Sequence, residues 1–376
     1  MKKAFDLVVA GAGVMGLACA LEEARRGGAV GVFDPEATQA QASWAAAGIL
    51  VTRDAHVFAS PFREFYVRSI RAYPEWLAGV SALSGQAITL HKAGDYLVFD
   101  LDDAAAKGKL EAKERQLERE RSLAFTVSET LPAHLRDHCA LQNVRVFHFP
   151  EEAYVQNRDL LSALRAACTK AGVVFLASLP HRAWDYESGR TTLAFPESTW
   201  ETRRILIAAG AWSGRLLEDM GVHAPMLPVK GQMMRIPKFH ASDAMIHFND
   251  ALYLVPRGDT LIVGATTEPG NWNEGFDSIG DDFMETHLRR FLPGVSGQPL
   301  ETWSGLRPRP RDRLPWMGWL DMDRGWAICT GHYKCGISMA PLAAQCLQRL
   351  LRGEKPAFDL APFNPWRKTG LVRSRT

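Results

Sequence analysis

The chain has 376 residues, of which 47% are hydrophobic and 23% charged, and its formal net charge is +2. That balance excludes a disordered chain, and it gives no basic surface of the kind nucleic acid requires. The length allows two lobes with separate cores, because single cores stop growing near ~250–300 residues.

The first thirty-four residues organise the rest. Phe5–Ala10 is a short apolar run rich in β-branched residues and reads as a buried strand. The sequence Gly11-Ala12-Gly13-Val14-Met15-Gly16 follows at once, then a proline-free helical stretch over Val14–Arg26, then a second strand over Ala29–Phe33 that ends at Asp34. This is a βαβ unit with G-x-G-x-x-G at its first turn, the pattern of a dinucleotide site. Gly11 permits the turn, Gly13 lets backbone N–H groups approach a pyrophosphate, and Gly16 lets helix and strand pack closely. The helix N-terminus turns its positive end to the phosphates. Asp34, 23 residues after Gly11, is placed to accept hydrogen bonds from a ribose. The same start, two lysines followed by an apolar stretch, has the outline of a secretory signal. Asp6 interrupts that stretch, and the dinucleotide reading accounts for the residues better.

Within Pro35–Gly48, the run Ser43-Trp44-Ala45-Ala46-Ala47-Gly48 is small enough to lie against a flat ligand, though alone it reads as the start of an alanine-rich helix. Residues 61–83 carry Phe65, Tyr66, Ile70, Tyr73, Trp76 and Leu77 at helical spacing and are expected in a core. From Ile88 the pattern changes to short alternating strands such as Ala93–Phe99, which marks departure into a second sheet. Ala104–Arg121 is a charged helix read as a solvated face held by i,i+4 pairs. His134, His138 and Cys139 have helical spacing for zinc but lack further ligands, so no metal is expected.

Residues 151–167 read as a loop entering an amphipathic helix capped by Asn157 or Asp159, and Gly172–Phe175 as the strand that returns to the nucleotide lobe. Arg204–Ser213 is another buried strand that ends in small residues, including Gly210, suited to pass under a cofactor. Pro228–Met233 opens a second excursion, with a hairpin across Arg257-Gly258-Asp259 and a helix over Asp282–Phe291 halted by Pro293-Gly294. The chain comes home through Glu301–Pro308, a strand over Gly325–Thr330, a loop over Gly331–Gly336 and a last helix over Ile337–Arg352. The expected architecture is α/β. A Rossmann-like nucleotide domain is assembled from residues 1–87, 151–226 and 304–376, and an α+β substrate domain with a mainly antiparallel sheet from 88–150 and 227–303. The cysteines at 19, 139, 168, 329, 335 and 346 form no disulfide framework, and free thiols in a reducing cytoplasm are the simpler account. No stretch reaches the roughly eighteen apolar residues of a membrane span.

Taken together, these motifs resemble the flavin-dependent D-amino acid oxidase superfamily, and within it the glycine-oxidase-like amine oxidases of thiamine biosynthesis. The resemblance runs the length of the chain in order: GAGVMG at 11–16, SWAAAGIL at 43–50, VQNRDLLSALRAA at 155–167, AAGAWS at 208–213, PVKGQM at 228–233, YLVPRGDTLIVGAT at 253–266, GLRPRPRDRLPWMG at 305–318 and TGHYKCGISMAP at 330–341. It implies noncovalent FAD lying across Gly11, Gly13, Val14, Met15 and Gly16, with its ribose on Asp34 beside Pro35. Ala42, Ser43, Ala47, Gly48 and Ile49 would run beside the diphosphate and isoalloxazine, with Gly210 close by. His332, Tyr333, Lys334, Cys335, Gly336 and Ile337 would border the flavin pyrimidine edge. Arg307 would hold the substrate carboxylate beside the flavin, and Tyr253 would help orient it.

Chemistry supports these roles. A planar guanidinium holds a carboxylate through two parallel hydrogen bonds and so fixes the substrate's rotation. The activity implied is oxidative deamination of glycine, sarcosine, a small D-amino acid or another N-substituted amino acid by hydride transfer from Cα, with molecular oxygen as acceptor. A homo-oligomer stays open. Three positions depart from the family's pattern: Asp34 stands where glutamate is usual, Lys334 where glycine oxidases have a second arginine, and Thr267 where a methionine commonly lines the pocket. Cys335 lies beside the expected flavin but matches no covalent attachment motif. Two competing readings are a same-fold dehydrogenase that passes electrons to a quinone or protein, and a dinucleotide-binding module without chemistry. Arg307 and Tyr253 together weigh against the second.

Overall fold

Leu7–Ala10, Val30–Phe33, Ile205–Ile207 and Trp326–Thr330 are buried along their whole length and lie side by side in parallel. Continuous apolar runs of this kind form strands that are covered on both faces. Val174–Leu176 extends the sheet at one edge, and Trp316–Asp321, the one antiparallel member, closes the other. The computed structural model describes residues 2–35, 41–55, 60–119, 123–180, 182–295 and 299–373. One face of the sheet carries the helices Val14–Ala24, Ser60–Arg71, Tyr73–Ser84, Asn157–Lys170 and Gly336–Leu351 over a single apolar core. The other face is covered by a small sheet of Lys2–Phe5, Thr199–Thr202, Arg190–Ala194 and Arg182–Glu187, with Trp200 packed between Phe5 and Phe195.

The second large sheet has nine strands and is antiparallel except where Met245–Phe248 runs parallel to Asp95–Asp100. Its centre is the ribbon of Met226–Pro237, Thr260–Gly264 and Leu252–Arg257, and Glu301–Pro310 pairs along Met226–Pro237 for ten residues. The mixed α/β architecture read from the sequence is the one observed.

Local departures have physical causes. The predicted strand Phe5–Ala10 is broken at Asp6, whose carboxylate accepts from the Ala29 N–H at 3.0 Å and sends Lys2–Phe5 into the smaller sheet. The helical spacing over 61–83 is realised as two helices, because Pro74 lacks an N–H and sits in the first turn of the second. The charged helix spans Ala104–Leu117, with Asp103 capping the Ala105 N–H at 2.8 Å; positions 120 and 121 lie outside the described residues. Its outer face is solvated and carries the Arg115–Glu111 pair, but Lys113 is buried and bound to Asp54. Neither Asn157 nor Asp159 caps its helix; Gln156 holds that position, and Asn157 bonds elsewhere. The His134 ring packs edge-on to Tyr96 and tilts against His240, and among the described residues no group of three or more His, Cys, Asp or Glu is arranged to hold a metal. All six cysteines are free and buried. Among the described residues no helix is long and apolar enough to cross a membrane.

Candidate active site

A cavity of about 920 Å³ opens between the two large sheets, the size of a cofactor and small-ligand site. One wall is made of backbone. Gly11, with φ +109°, turns the chain out of the first strand, and a Cβ there would stand 2.6 Å from the Ala208 carbonyl oxygen. A Cβ at Gly16 would fall 1.9 Å from the Gly11 carbonyl, so the helix can approach the turn only without a side chain. Gly16 therefore supports the wall from behind, whereas Gly11, Gly13, Val14 and Met15 line it. No side chain caps the helix at Gly13, though Ser43 Oγ accepts from the Val14 N–H at 3.1 Å. Asp34 accepts from the Ala12 N–H and, at 3.3 Å, from Gln41 Nε2. Burial pushes its carboxyl up, and the Ala12 N–H and Arg165 pull it back.

The small-residue stretch continues that wall. Ala42–Ala45 forms one turn of helix, after which the chain extends through Ala47, Gly48 and Ile49 along the cavity. Several side chains hold it from behind. Asn157 Nδ2 donates to the Ser43 and Trp44 carbonyls at 3.0 and 2.8 Å, which is why it is not free to cap its own helix. Arg257 donates to the Ala47 carbonyl. Arg158 lies over the Trp44 ring at 3.7 Å and over Trp303 at 4.7 Å, while Trp303 Nε1 donates to Ala45 O at 3.0 Å. Gly210 also lines the cavity, and Thr330 Oγ1 donates to its carbonyl at 3.2 Å. His332–Ile337 forms the far end. There the sixteen-residue helix Gly336–Leu351 begins with no side-chain cap, so its first N–H groups stay available to a polar edge.

The opposite wall carries charge. Arg307 projects from Glu301–Pro310 over Gly231, where an added Cβ would stand 2.0 Å from its guanidinium. Arg307 Nη1 donates to the Thr266 carbonyl at 3.1 Å and the Lys230 carbonyl at 3.4 Å; its Nη2 and Nε bond no other described residue. Beside both carbonyls runs a partly buried network in which Lys230 Nζ meets Asp277 at 2.5 Å and Gln232 Nε2 bonds Glu268 and Asp277 at 2.9 and 2.7 Å. A guanidinium held along one edge, with no acidic partner among the described residues, presents its other edge to an anion. Tyr253 and Thr267 share the cavity with it. Burial raises the Tyr253 phenol, and Arg307 and Arg257 only partly reverse this, so the hydroxyl keeps its proton. Lys334 reaches into the cavity from the far end. Although its side chain is exposed there, the enclosing walls and then the neighbouring Arg307 bring its ammonium down to about 8.

Every site residue predicted from the sequence lines this one cavity except Gly16. The sequence reading missed Arg53, Asp54, His247 and Asp250, which also line it, and Asn157, Lys230 and Arg257, which hold its walls. Lys230 and Arg257 lie within quoted motifs. Arg53 and His247 carry no local signal, because they meet only through the pairing of Asp95–Asp100 with Met245–Phe248.

A glycine-lined turn, two uncapped helix N-termini, an acid at the end of the second strand and a cavity of this size suit a long dinucleotide whose ring lies below a carboxylate clamp. The chain belongs to the DAO family of FAD-dependent oxidoreductases, whose sequence profile matches residues 6–350. Within that family it is an oxidoreductase of the glycine oxidase type. It is 30% identical to the glycine oxidase of Pseudomonas aeruginosa, over 96% of this chain and 98% of that protein. It is 27% identical to the glycine oxidase of Geobacillus kaustophilus, over 99% of each. The crystal structure of glycine oxidase from Geobacillus kaustophilus matches the fold with a TM-score of 0.88 at 24% identity, covering 97% of this chain and 99% of that one. Iminodiacetate oxidase from Chelativorans sp. BNC1 matches with a TM-score of 0.83 at 20% identity, over 96% and 98%. FAD is the cofactor.

Proposed function

We propose that the protein catalyses oxidative deamination of a small amino acid or amine, such as glycine, sarcosine or a D-amino acid, with molecular oxygen as final acceptor and hydrogen peroxide as product. The observation that carries this reading is that Arg307, with an unpaired guanidinium edge, shares one cavity with the dinucleotide turn. The names of the glycine oxidase relatives point the same way. FAD, bound noncovalently, would supply the two-electron acceptor. Gly11, Gly13, Val14 and Met15 would hold its phosphates with Gly16 packed behind, Asp34 and Pro35 would border its ribose, and Ala42, Ser43, Ala47, Gly48, Ile49 and Gly210 would flank it. The loop His332–Ile337 would border its polar edge, with the Lys334, Gly336 and Ile337 N–H groups available there, since the Tyr333 and Cys335 N–H groups donate to Pro308 and His332.

Arg307 takes the substrate carboxylate, Lys334 adds a second positive charge, and Tyr253 donates its protonated hydroxyl. Fixing the carboxylate aims the Cα hydrogen at the cofactor ring, and placement of this kind removes much of the barrier. The amine nitrogen must be neutral for its lone pair to form the C=N bond as that hydrogen leaves, and the imino acid then hydrolyses to an oxo acid and ammonia. Thr267 makes one wall of the pocket small and polar. We assign residues 1–87, 151–226 and 304–376 to an FAD-binding domain and 88–150 and 227–303 to a substrate domain; the strand Glu301–Pro310, which pairs with Met226–Arg235 in the second large sheet, spans that boundary. The cytoplasm is the compartment that suits six free thiols.

Anaerobic mixing of the holoenzyme with glycine, sarcosine and D-alanine tests the reading. At least one should bleach the flavin band near roughly 450 nm, as expected of this cofactor, and readmitted air should restore the band with release of peroxide. Bleaching without peroxide would replace oxygen by a quinone or protein acceptor. No bleaching by any α-amino acid would reject the substrate class.

A further inference from the structure

The cavity lining carries both signs of charge. Lys334 stands in the field of Arg307 and Arg313, and all three line it. Asp54, Asp250 and His247 line it as well. A zwitterionic amino acid held by Arg307 through its carboxylate is matched by such a lining when its ammonium turns toward the acids. In that orientation the ammonium must lose a proton before the C=N bond can form, so it needs an acceptor beside it.

His247 is built for that task. Its Nδ1 lies 2.8 Å from Asp95 Oδ1, and Asp95, fully buried, is held from its other oxygen by Arg53 Nε at 2.6 Å. Against its burial, Arg53 and His247 keep the Asp95 carboxyl well below the usual range, so it stays ionised and can only accept. Nδ1 is therefore the donor to Asp95, and Nε2 is the nitrogen whose lone pair is available in the neutral ring. Nε2 bonds no described residue. The ring also faces Tyr253, its cross-strand partner, with ring centroids 5.9 Å apart.

The neighbouring groups are poor acceptors. Against burial, Arg53 and Lys113 hold Asp54 down at about 2. Burial raises Glu152 to about 7, but it does not line the cavity and its oxygens are taken by the Thr52 and Arg53 N–H groups. Tyr253 keeps its proton. Asp250 sits on the turn before Leu252–Arg257 in the field of Arg53, and among the described residues no hydrogen bond orients its carboxylate.

Resting on the proposed amino acid substrate, we propose that His247, positioned by Asp95, accepts the proton from the substrate's ammonium group. One N–H bond breaks with its electron pair remaining on the substrate nitrogen, and an Nε2–H bond forms. The Asp95 carboxylate then faces an imidazolium, which returns its proton to solvent after the product leaves. The neutral amine left behind carries the lone pair that formation of the C=N bond requires.

The test is the anaerobic reductive half-reaction of holoenzyme across pH 6–10, using whichever of glycine, sarcosine or D-alanine reduces the wild type fastest. His247→Gln should lower reduction at pH 7.5 by about 10²-fold or more, the size expected for losing a general base. Its rate should then climb about tenfold per pH unit until the substrate amine ionises by itself, as a rate set by the neutral-amine fraction must. Asp95→Asn should move the profile in the same direction, while flavin content and acetate affinity of His247→Gln stay within twofold of wild type. A His247→Gln profile that overlays wild type overturns the proposal and leaves the substrate class standing; failure of all three amino acids to reduce wild type rejects the substrate class itself. Independently of turnover, ¹⁵N spectra of histidine-labelled wild type should show neutral His247 protonated on Nδ1. The Nε2–H tautomer would overturn the assignment even if the variants fail to fold.

Discussion

The two walls of the cavity are built by opposite means. The nucleotide wall is backbone: Gly13, Ala47 and Gly48 present N–H groups and little else, Gly11 makes the turn while its own N–H is spent on the Phe33 carbonyl at 2.9 Å, and other side chains press the chain into place from behind. The substrate wall is side chain: Arg307, Tyr253, Lys334 and His247 each come from a different segment, with Arg307 held by the Thr266 and Lys230 carbonyls and His247 by the buried Asp95. A backbone wall fails when a side chain is added to it, and a side-chain wall fails when one is removed.

The sharpest break of the comparison is Arg307→Ala. Removing one partner of an enclosed charge pair should cost roughly 2–5 kcal/mol of transition-state binding, read as a fall in kcat/KM with KM raised, while bound flavin persists. Unchanged kinetics would remove Arg307 from the site. Gly16→Ala acts on the other wall and should do the reverse of selective damage. Its methyl group would collide with the Gly11 carbonyl, for an overpacking cost of about 1–3 kcal/mol, so the protein should melt earlier and lose FAD together. Retention of full flavin at the wild-type melting temperature would contradict the packing account.

The smallest effect concerns Lys334. Its ammonium, brought down to about 8, is charged below that pH and neutral above it, so affinity for a substrate carboxylate should fall as pH rises through 8. Because the side chain is exposed in the cavity, the change in KM should be only about twofold to fivefold, in keeping with a solvent-screened pair. Lys334→Arg stays charged over this range and should flatten the rise in KM between pH 7.5 and 9.5. A rise of the same size in the variant would assign it to another group.

The walls also differ in how far they can be read from sequence. The nucleotide wall is written in contiguous motifs, because a glycine turn, a helix start and a strand-end acid are local properties; Gly11–Gly16 and Asp34 fall where the spacing puts them. The substrate wall was legible only in part. Arg307 and Tyr253 stand in quoted motifs, but nothing near Arg53 or Asp95 announces that they meet His247 across a parallel strand pair. Asn157 was misread for a related reason. Its type and place suit a helix cap, yet two carbonyls of a chain segment more than a hundred residues away claim its amide. Asp6 falls inside the single strand read over Phe5–Ala10, and it is the corner that sends Lys2–Phe5 into a different sheet.

The central claim is that Arg307 pins an acid group above the cofactor ring. A crystal structure of the holoenzyme soaked with acetate tests it most directly. The account predicts acetate bound through both oxygens to Arg307 Nη2 and Nε, with its methyl carbon facing the flavin ring. A guanidinium turned away from the ring, with acetate bound elsewhere, would contradict it.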